Sequence, residues 1–199
     1  MRISFTGEKC YEINVPSSYA RSLWSKCFEI GKEFNITPYG TEAMHVLRAE
    51  KGFVIVGQET DGSVTPIDLD MNWIVSKQKY DFIGKRALNR SDTIREDRKQ
   101  LVGILTKDPN LVLEEGAQLV EKVSRPPMAM IGHITSSYYS PNLGRSIALA
   151  LVKDGLKKKG HKIFAPMPNK TIEVEISDPV FIDPSNERLI AWIYREKTV

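Results

Sequence analysis

Two glutamates near the start of the chain, Glu8 and Glu12, are the first side chains whose type and spacing suggest chemistry. An ionised carboxylate accepts hydrogen bonds on both oxygens and can receive two neighbouring donors at once. Both glutamates lie in the stretch RISFTGEKCYEINVP, in which Ile3 and Phe5 alternate with polar residues before a turn at Gly7. A second alternating run follows this glycine. The stretch therefore predicts a β-hairpin that carries the two carboxylates.

The composition is that of a globular protein. The 199 residues are 41% hydrophobic and 27% charged, enough for one ordinary domain or two small ones. No apolar run reaches the roughly 18 residues that span a bilayer, and no secretory pattern precedes the first strand, so we expect a cytoplasmic protein with no membrane partner. Cys10 and Cys27 lack the spacing of metal ligands. We expect free thiols in a reducing compartment, with a disulfide between them as the alternative.

The net charge of +3 is mild, and the densest basic segment is KDGLKKKGHK, residues 153–162. Two interpretations are open: a solvated turn, or a binding segment for an anion. No aromatic residues lie between the lysines to stack on bases, so we expect no nucleic-acid partner. The histidines, His45, His133 and His161, are far apart in different contexts, and we predict no metal site.

Helical spacing dominates the first part of the chain. PSSYARSLWSKCFEIGKEF predicts a helix capped by Ser17 or Ser18, and TEAMHVLRAEKG predicts a second helix capped by Thr41. FVIVG and MNWIVS are predicted as short strands, and FIGKRALNR as a short helix. This part is therefore α+β.

Strands dominate the second part, after the charged connector SDTIREDRKQ. Six short runs are predicted as strands: LVGILT, AQLVEKV, AMIGHITSSYY, SIALALV, HKIFAP and TIEVEIS. In the last of them Ile172, Val174 and Ile176 share one face. We therefore divide the chain into an α+β part, residues 1–92, and a small antiparallel β-barrel or sandwich, residues 98–199.

Three stretches resemble the glycine-cleavage T-protein family: RISFTGEKCYEINVP, the segment from GTEAMHVLRAEKG to DFIGKRAL, and GHITSSYYSPNLGRSIALALV. The resemblance implies that residues 1–92 are the C-terminal portion of a folate-binding aminomethyltransferase-like domain. It also implies that residues 98–199 are the family's C-terminal β-barrel. In this family the folate domain begins well before the residue matching Arg2. We therefore expect an incomplete domain that lacks the family's catalytic aspartate, and predict no catalytic residue.

Within this family, YGTEAMHVLRAEKG and DPVFIDPSNERL most resemble the branch formed by the alpha subunits of heterotetrameric sarcosine oxidases. That branch implies an enzyme in which sarcosine is oxidised at a flavin and the resulting imine is converted with tetrahydrofolate to 5,10-methylenetetrahydrofolate. FAD, FMN and NAD are then expected only in other parts of the full enzyme, and this fragment alone is expected to be inactive. The implied partners are folate, the sarcosine-derived imine and the other sarcosine oxidase subunits. We also expect self-association of the truncated chain through residues 1–16.

Four residues of the hairpin are candidates for the folate pocket, and the resemblance assigns a role to one of them, Glu12. It implies that Glu12 binds the pterin ring, whose ring N–H and exocyclic amino group can both donate to one carboxylate. The alternative is a solvent-facing strand residue. Glu8 is a weaker folate candidate that could instead stabilise the turn. Tyr11 and Phe5 could line the pocket or pack in a core.

Departures from the family pattern bear on the alternatives. A glycine-cleavage aminomethyltransferase would carry an arginine where this chain has Met44, and the iron–sulfur-maturation branch would carry a cysteine where it has Phe53. Both alternatives are therefore disfavoured. A non-catalytic module that binds folate or docks subunits is the rival from a different class. Arg48 is expected to form a structural ion pair, with Glu50 or with a residue across the fold.

Overall fold

The computed structural model describes residues 1–190, and its first part contains two longer helices. Helix α1 is Ser17–Gly31 and helix α2 is Thr41–Glu50, as the spacing predicts. The predicted N-caps are wrong, because Pro16 and Gly40 occupy the N-cap positions and neither helix has a side-chain cap. A short helix α3, Glu187–Ile190, follows the barrel.

Two predicted strands of the first part do not form. FVIVG contributes only an isolated bridge between Val56 and Thr60, and MNWIVS contains the 3-10 turn Asn72–Ile74. The predicted helix in FIGKRALNR is reduced to the 3-10 turn Ala87–Asn89. Apolar residues of this region, such as Val54, pack against the outside of the barrel instead of joining a sheet. The apolar composition of this segment thus indicates burial. Among the described residues, however, no neighbouring strand forms the backbone hydrogen bonds that would make it part of a sheet.

The second part is a closed antiparallel barrel of six strands. Its strands are β1 Lys99–Thr106, β2 Gln118–Val120, β3 Met130–Ser140, β4 Arg145–Lys153, β5 Lys162–Met167 and β6 Lys170–Ser177. They are hydrogen-bonded in the order β1-β4-β3-β2-β5-β6, and β6 pairs with β1 to close the cylinder. All six predicted strands are confirmed. Closure leaves no open sheet edge within the barrel.

The barrel interior is filled by aliphatic side chains. On β6, Ile172, Val174 and Ile176 are buried, whereas Glu173 and Glu175 point outwards, as the alternation predicts. Every strand contributes to this core, which includes Val102, Ile104, Leu119, Ile134, Ala148, Ala150, Val152, Ile163 and Ala165. The interior is therefore a core of packed side chains.

A β-bulge in β3 changes which residues face outwards. Ile134 pairs with Ala150, but Ser136 pairs with Leu149, so Thr135 is the extra residue. Ile134 lies in the core, while Ser136 points away from it towards α2. Beyond the bulge, alternate residues of β3 present polar side chains to the helical part.

The outer face of the barrel binds the preceding chain. Leu101, Leu149 and Leu151 form a second cluster, which packs against Val54, Val64, Leu69 and Phe181. The backbone N–H of Leu101 donates to the carbonyl of Asp68 at 2.8 Å. Arg98 bridges the carboxylates of Asp68 and Asp92 at 2.7 and 2.8 Å. The charged connector is thus fixed against the barrel.

Candidate functional site

The hairpin that carries the candidate folate residues is only partly formed. Its two arms meet in a single antiparallel bridge between Arg2 and Tyr11, and the N–H of Glu12 donates to the carbonyl of Met1 at 2.8 Å. The predicted pair of continuous strands is therefore wrong, whereas the antiparallel approach of the arms is present. A two-stranded ribbon without a third strand has little stability of its own, so its position depends on what it packs against.

The hairpin turn packs on the end of α2. Gly7 has a φ of +83°, and a Cβ at this position would lie 2.7 Å from Cγ of Lys51. Both the backbone conformation and the close approach therefore require glycine. The buried ammonium of Lys51 in turn binds the carboxylate of Asp183 at 3.0 Å. The hairpin, α2 and the segment after the barrel are thereby joined at one point.

Glu12 is exposed, and its carboxylate has no hydrogen bond or ion pair with any other residue that the structure describes. Its backbone, by contrast, is fixed by the bonding of the two arms. The side chain is thus an anchored acceptor with both oxygens free. This arrangement suits a ligand that offers two adjacent donors.

Glu8 is already engaged. Its carboxylate accepts from Nη1 of Arg188 at 3.0 Å, and Arg188 lies in α3 at the other end of the described chain. Both side chains are about half exposed, so the ion pair is weak and screened by salt. This partner was not predictable from spacing, because the two residues are 180 positions apart in sequence.

The ring of Tyr11 is 63% exposed, and Nζ of Lys9 lies 5.8 Å from its centroid. Phe5 is 38% exposed. Neither ring is therefore a core residue among the described residues. The exposed ring of Tyr11 offers a flat apolar surface to a ligand.

Behind the hairpin, a buried ionic network joins α2 to the barrel. Arg48 binds Glu59 at 3.0 Å and Oγ of Ser136 at 2.6 Å, and the side chains of Arg48 and Glu59 are fully buried. Tyr138 lies on the same network, with its hydroxyl 3.3 Å from Nη2 of Arg48. The predicted structural ion pair of Arg48 is confirmed, but its partner is Glu59, 11 residues further along the chain, and not Glu50.

Glu50 binds the barrel through different residues. Its carboxylate accepts from Oγ of Ser140 at 2.5 Å and from Nδ2 of Asn142 at 2.9 Å. Its carbonyl accepts from the N–H groups of Phe181 and Ile182. Arg48 and Glu50 together fix the end of α2, and with it the hairpin turn, relative to the barrel.

The lysine-rich segment lies in the connection from β4 to β5, and the solvated turn is the interpretation that the structure supports. Each of its five lysines has a carboxylate partner. The pairs are Lys153–Asp97, Lys157–Glu96, Lys158–Glu121, Lys159–Asp178 and Lys162–Glu173. Its charge is thus neutralised locally, and the binding of an anion there is disfavoured.

Neither metal chemistry nor a disulfide is apparent in residues 1–190. No group of three or more potential ligand side chains lies together in that part of the chain. Cys10 and Cys27 are free thiols, and Sγ of Cys10 lies 3.2 Å from Oγ1 of Thr6. None of the described helices is long and apolar enough to cross a bilayer.

The fold and the hairpin define a class of protein. Residues 1–79 match the model of the GCVT N-terminal domain, and residues 99–183 match the glycine cleavage T-protein C-terminal barrel domain. The chain belongs to the glycine-cleavage T-protein family. An aminomethyltransferase T of the glycine cleavage system from Bartonella henselae has the same fold, with a TM-score of 0.79 and 26% identity over 92% of this chain and 49% of that one.

Among curated proteins, the chain is similar to a sarcosine oxidase subunit alpha of Corynebacterium sp. (strain U-96), with 50% identity over 94% of this chain. It is also 34% identical over 88% of its length to an aminomethyltransferase of Thermoanaerobacter pseudethanolicus. It spans 20% of the former protein and 46% of the latter. The predicted relationship to the T-protein family and to sarcosine oxidase alpha subunits is thereby confirmed.

Proposed function

We propose that this chain forms part of a tetrahydrofolate site in a sarcosine oxidase-type enzyme, where the imine from sarcosine oxidation becomes 5,10-methylenetetrahydrofolate. The observation that carries this proposal is Glu12: a carboxylate with a fixed backbone, solvent access and no partner among the described residues. The identity to a sarcosine oxidase alpha subunit, 50% against 34% for an aminomethyltransferase, favours this branch over glycine cleavage.

In this proposal Glu12 accepts from the ring N–H and the amino group of the pterin as a bidentate pair. Tyr11, the preceding residue, is proposed to line the pocket with its exposed ring. Glu8 serves as a positioning residue, because its pairing with Arg188 holds the turn between the hairpin arms. The chain orients the folate and keeps water from a reactive iminium, and the carbon transfer needs no further group from these residues.

The oxidation of sarcosine itself is assigned to other parts of the enzyme. FAD, FMN and NAD are proposed to bind there, and the isolated chain is proposed to be inactive. We place the complex in the cytoplasm with the other sarcosine oxidase subunits as partners.

The test is the binding of 5-formyltetrahydrofolate to the full-length protein and to its Glu12→Gln variant. A charge-assisted hydrogen bond contributes about 1.5–3 kcal/mol, so the affinity should fall roughly 10- to 150-fold. Glu8→Gln is the matched control, since it removes a carboxylate of the same hairpin that already has a partner. Its effect should stay within about threefold, as expected for an exposed pair. Equal affinity of the Glu12→Gln variant and the wild type would refute the folate role.

A further inference from the structure

A cavity of about 570 Å³ lies in the loop-rich segment between α2 and the barrel. Its walls come from residues 62–66 on one side and residues 74–93 on the other, and none comes from the hairpin. The apolar lining consists of Val64, Pro66, Ile74, Val75, Phe82, Ile83, Ala87 and Leu88. Small-molecule sites have volumes of about 300–1,000 Å³ and largely apolar walls, so the size and the lining fit a small ligand.

The hydroxyl groups that line this cavity already form hydrogen bonds within the protein. Ser63 donates to Asp61 at 2.6 Å, and Thr65 donates to Asp68 at 2.9 Å. Thr93 donates to backbone carbonyls. The fourth hydroxyl, Oγ of Ser76, accepts from the backbone N–H groups of Gln78 and Lys79. The hydroxyl groups are therefore bonded within the protein and offer little to a ligand.

Two cationic side chains of the lining have no partner among the described residues. Lys79 and Arg90 are exposed, and among residues 1–190 neither side chain forms a hydrogen bond or an ion pair. The segment from residue 77 to residue 90 holds five basic residues, Lys77, Lys79, Lys85, Arg86 and Arg90, against one acid, Asp81. This segment therefore carries a net positive charge next to the apolar lining of the cavity.

A second cleft, of about 270 Å³, provides the contrast. It is lined by Asp92, Asp97, Arg95, Arg98 and Lys153, among others. Each of these three cations is held by a carboxylate at 2.7–3.1 Å. Lys99, which also lines this cleft, has no carboxylate partner among the described residues. The larger cavity differs in that both of its cations, Lys79 and Arg90, are unpaired within residues 1–190 and lie beside a mostly apolar lining.

We propose that the 570 Å³ cavity is a second ligand site, separate from Glu12, for a small organic anion: a carboxylate carried on a flat or branched apolar body. The apolar body occupies the space between Val64, Phe82 and Leu88. The carboxylate is bound by Lys79 and by the guanidinium of Arg90, which can donate two parallel hydrogen bonds.

The test uses 2-naphthoate as the probe and isothermal titration calorimetry on the full-length protein. We expect 1:1 binding, with 2-naphthamide, its neutral isostere, binding more weakly. The double variant Lys79→Gln/Arg90→Gln should weaken 2-naphthoate about three- to tenfold, in keeping with exposed charges, and leave 2-naphthamide unchanged. Lys157→Gln/Lys158→Gln is the matched control, because it removes the same charge from the locally neutralised segment and should change neither ligand.

Two further variants keep the inference falsifiable. Ala87→Phe fills the cavity and should abolish the binding of both probes, with circular dichroism verifying the fold. Glu12→Gln should leave 2-naphthoate binding intact. Absence of binding, equal affinities for the two probes, or identical effects of the two double variants would refute the anion site. Loss of 2-naphthoate binding in the Glu12→Gln variant would refute its separation from the folate residues.

Discussion

Arg48 and Glu59 form an ion pair at 3.0 Å with both side chains at 0% exposure, and they do so at the contact between α2 and the barrel. Ser136 lies between them: it accepts from Nη2 of Arg48 at 2.6 Å and donates to the second oxygen of Glu59. Glu59 also accepts from the N–H of Ile55 at 2.7 Å. Charges removed from water are stable only when such partners surround them, so the contact tolerates little change.

Glu59→Gln should therefore destabilise the protein strongly. The substitution keeps the shape of the side chain but leaves the guanidinium of Arg48 buried without a counter-charge, which costs about 3–5 kcal/mol. The exposed pair of Lys26 and Glu29, at 2.9 Å on α1, offers a matched control, and Glu29→Gln should cost about 1 kcal/mol or less. Urea unfolding monitored by circular dichroism measures both. Similar losses for the two variants would mean that the buried network is not a stabilising contact.

The pairing of Asp68 with Arg98 should make the free energy of unfolding depend on pH in the acidic range. Burial raises the pKa of the Asp68 carboxyl, but hydrogen bonds from Arg98 and Thr65 outweigh it and hold the pKa below its usual range. The unfolded chain therefore takes up this proton first as the pH falls. The contribution to stability is complete above the unfolded pKa of about 3.9 and is lost as the pH falls through the folded pKa.

Asp68→Asn should accordingly cost about 1.5–3 kcal/mol near neutral pH, the value of a hydrogen bond to a charged group. The difference from the wild type should shrink below about pH 4, where the wild-type carboxyl also becomes protonated. Denaturant unfolding from pH 3 to pH 7 gives both curves. A difference that stays constant over this range would show that Asp68 contributes through packing and not through its charge.

The product of the full enzyme should change when Glu12 is replaced. With Glu12→Gln, tetrahydrofolate is held less tightly, so more of the imine should escape and hydrolyse to formaldehyde. Oxidation of sarcosine should continue at nearly the wild-type rate, since that step is proposed to occur elsewhere. The measurement is the ratio of formaldehyde to 5,10-methylenetetrahydrofolate with tetrahydrofolate present. An unchanged ratio contradicts the role of Glu12, and Glu8→Gln provides the control for damage to the hairpin.

The isolated 199-residue chain should self-associate. Ile13, Tyr19 and Trp24 are each at least 60% exposed on the hairpin and α1, and large apolar side chains exposed to this extent favour association. Sedimentation velocity should show a species whose size grows with concentration, and Trp24→Glu should shift it towards the monomer. Trp73→Glu, at an exposed residue in a different segment, should have little effect. A monomer at all concentrations would contradict this prediction.

The barrel is the part that the sequence predicted well. Each strand alternates or is continuously apolar over a length typical of strands, and on β6 the alternation alone identified Ile172, Val174 and Ile176 as interior. The two helices followed from apolar spacing in the same way. Local patterns succeed here because each residue's burial repeats with the period of its own element.

The hairpin shows the limit of that reasoning. Alternation around Gly7 predicted two strands, but a ladder needs a neighbour to bind, and the described chain forms only the bridge between Arg2 and Tyr11. FVIVG and MNWIVS fail for the same reason. Whether an apolar run becomes a strand is decided by what lies beside it, and no local pattern contains that information.

The sequence by itself determined the family, the six strands, the two helices and the candidate carboxylates Glu8 and Glu12. Only the tertiary structure decided which carboxylates have partners: Glu59 with Arg48, Glu8 with Arg188, and Glu12 with none among the described residues. The bulge at Thr135 turns Ser136 towards α2 in the same way. Electrostatic partners act over a few ångströms in space, whereas these residues are 11 to 180 positions apart in sequence, so the folded chain alone brings them together.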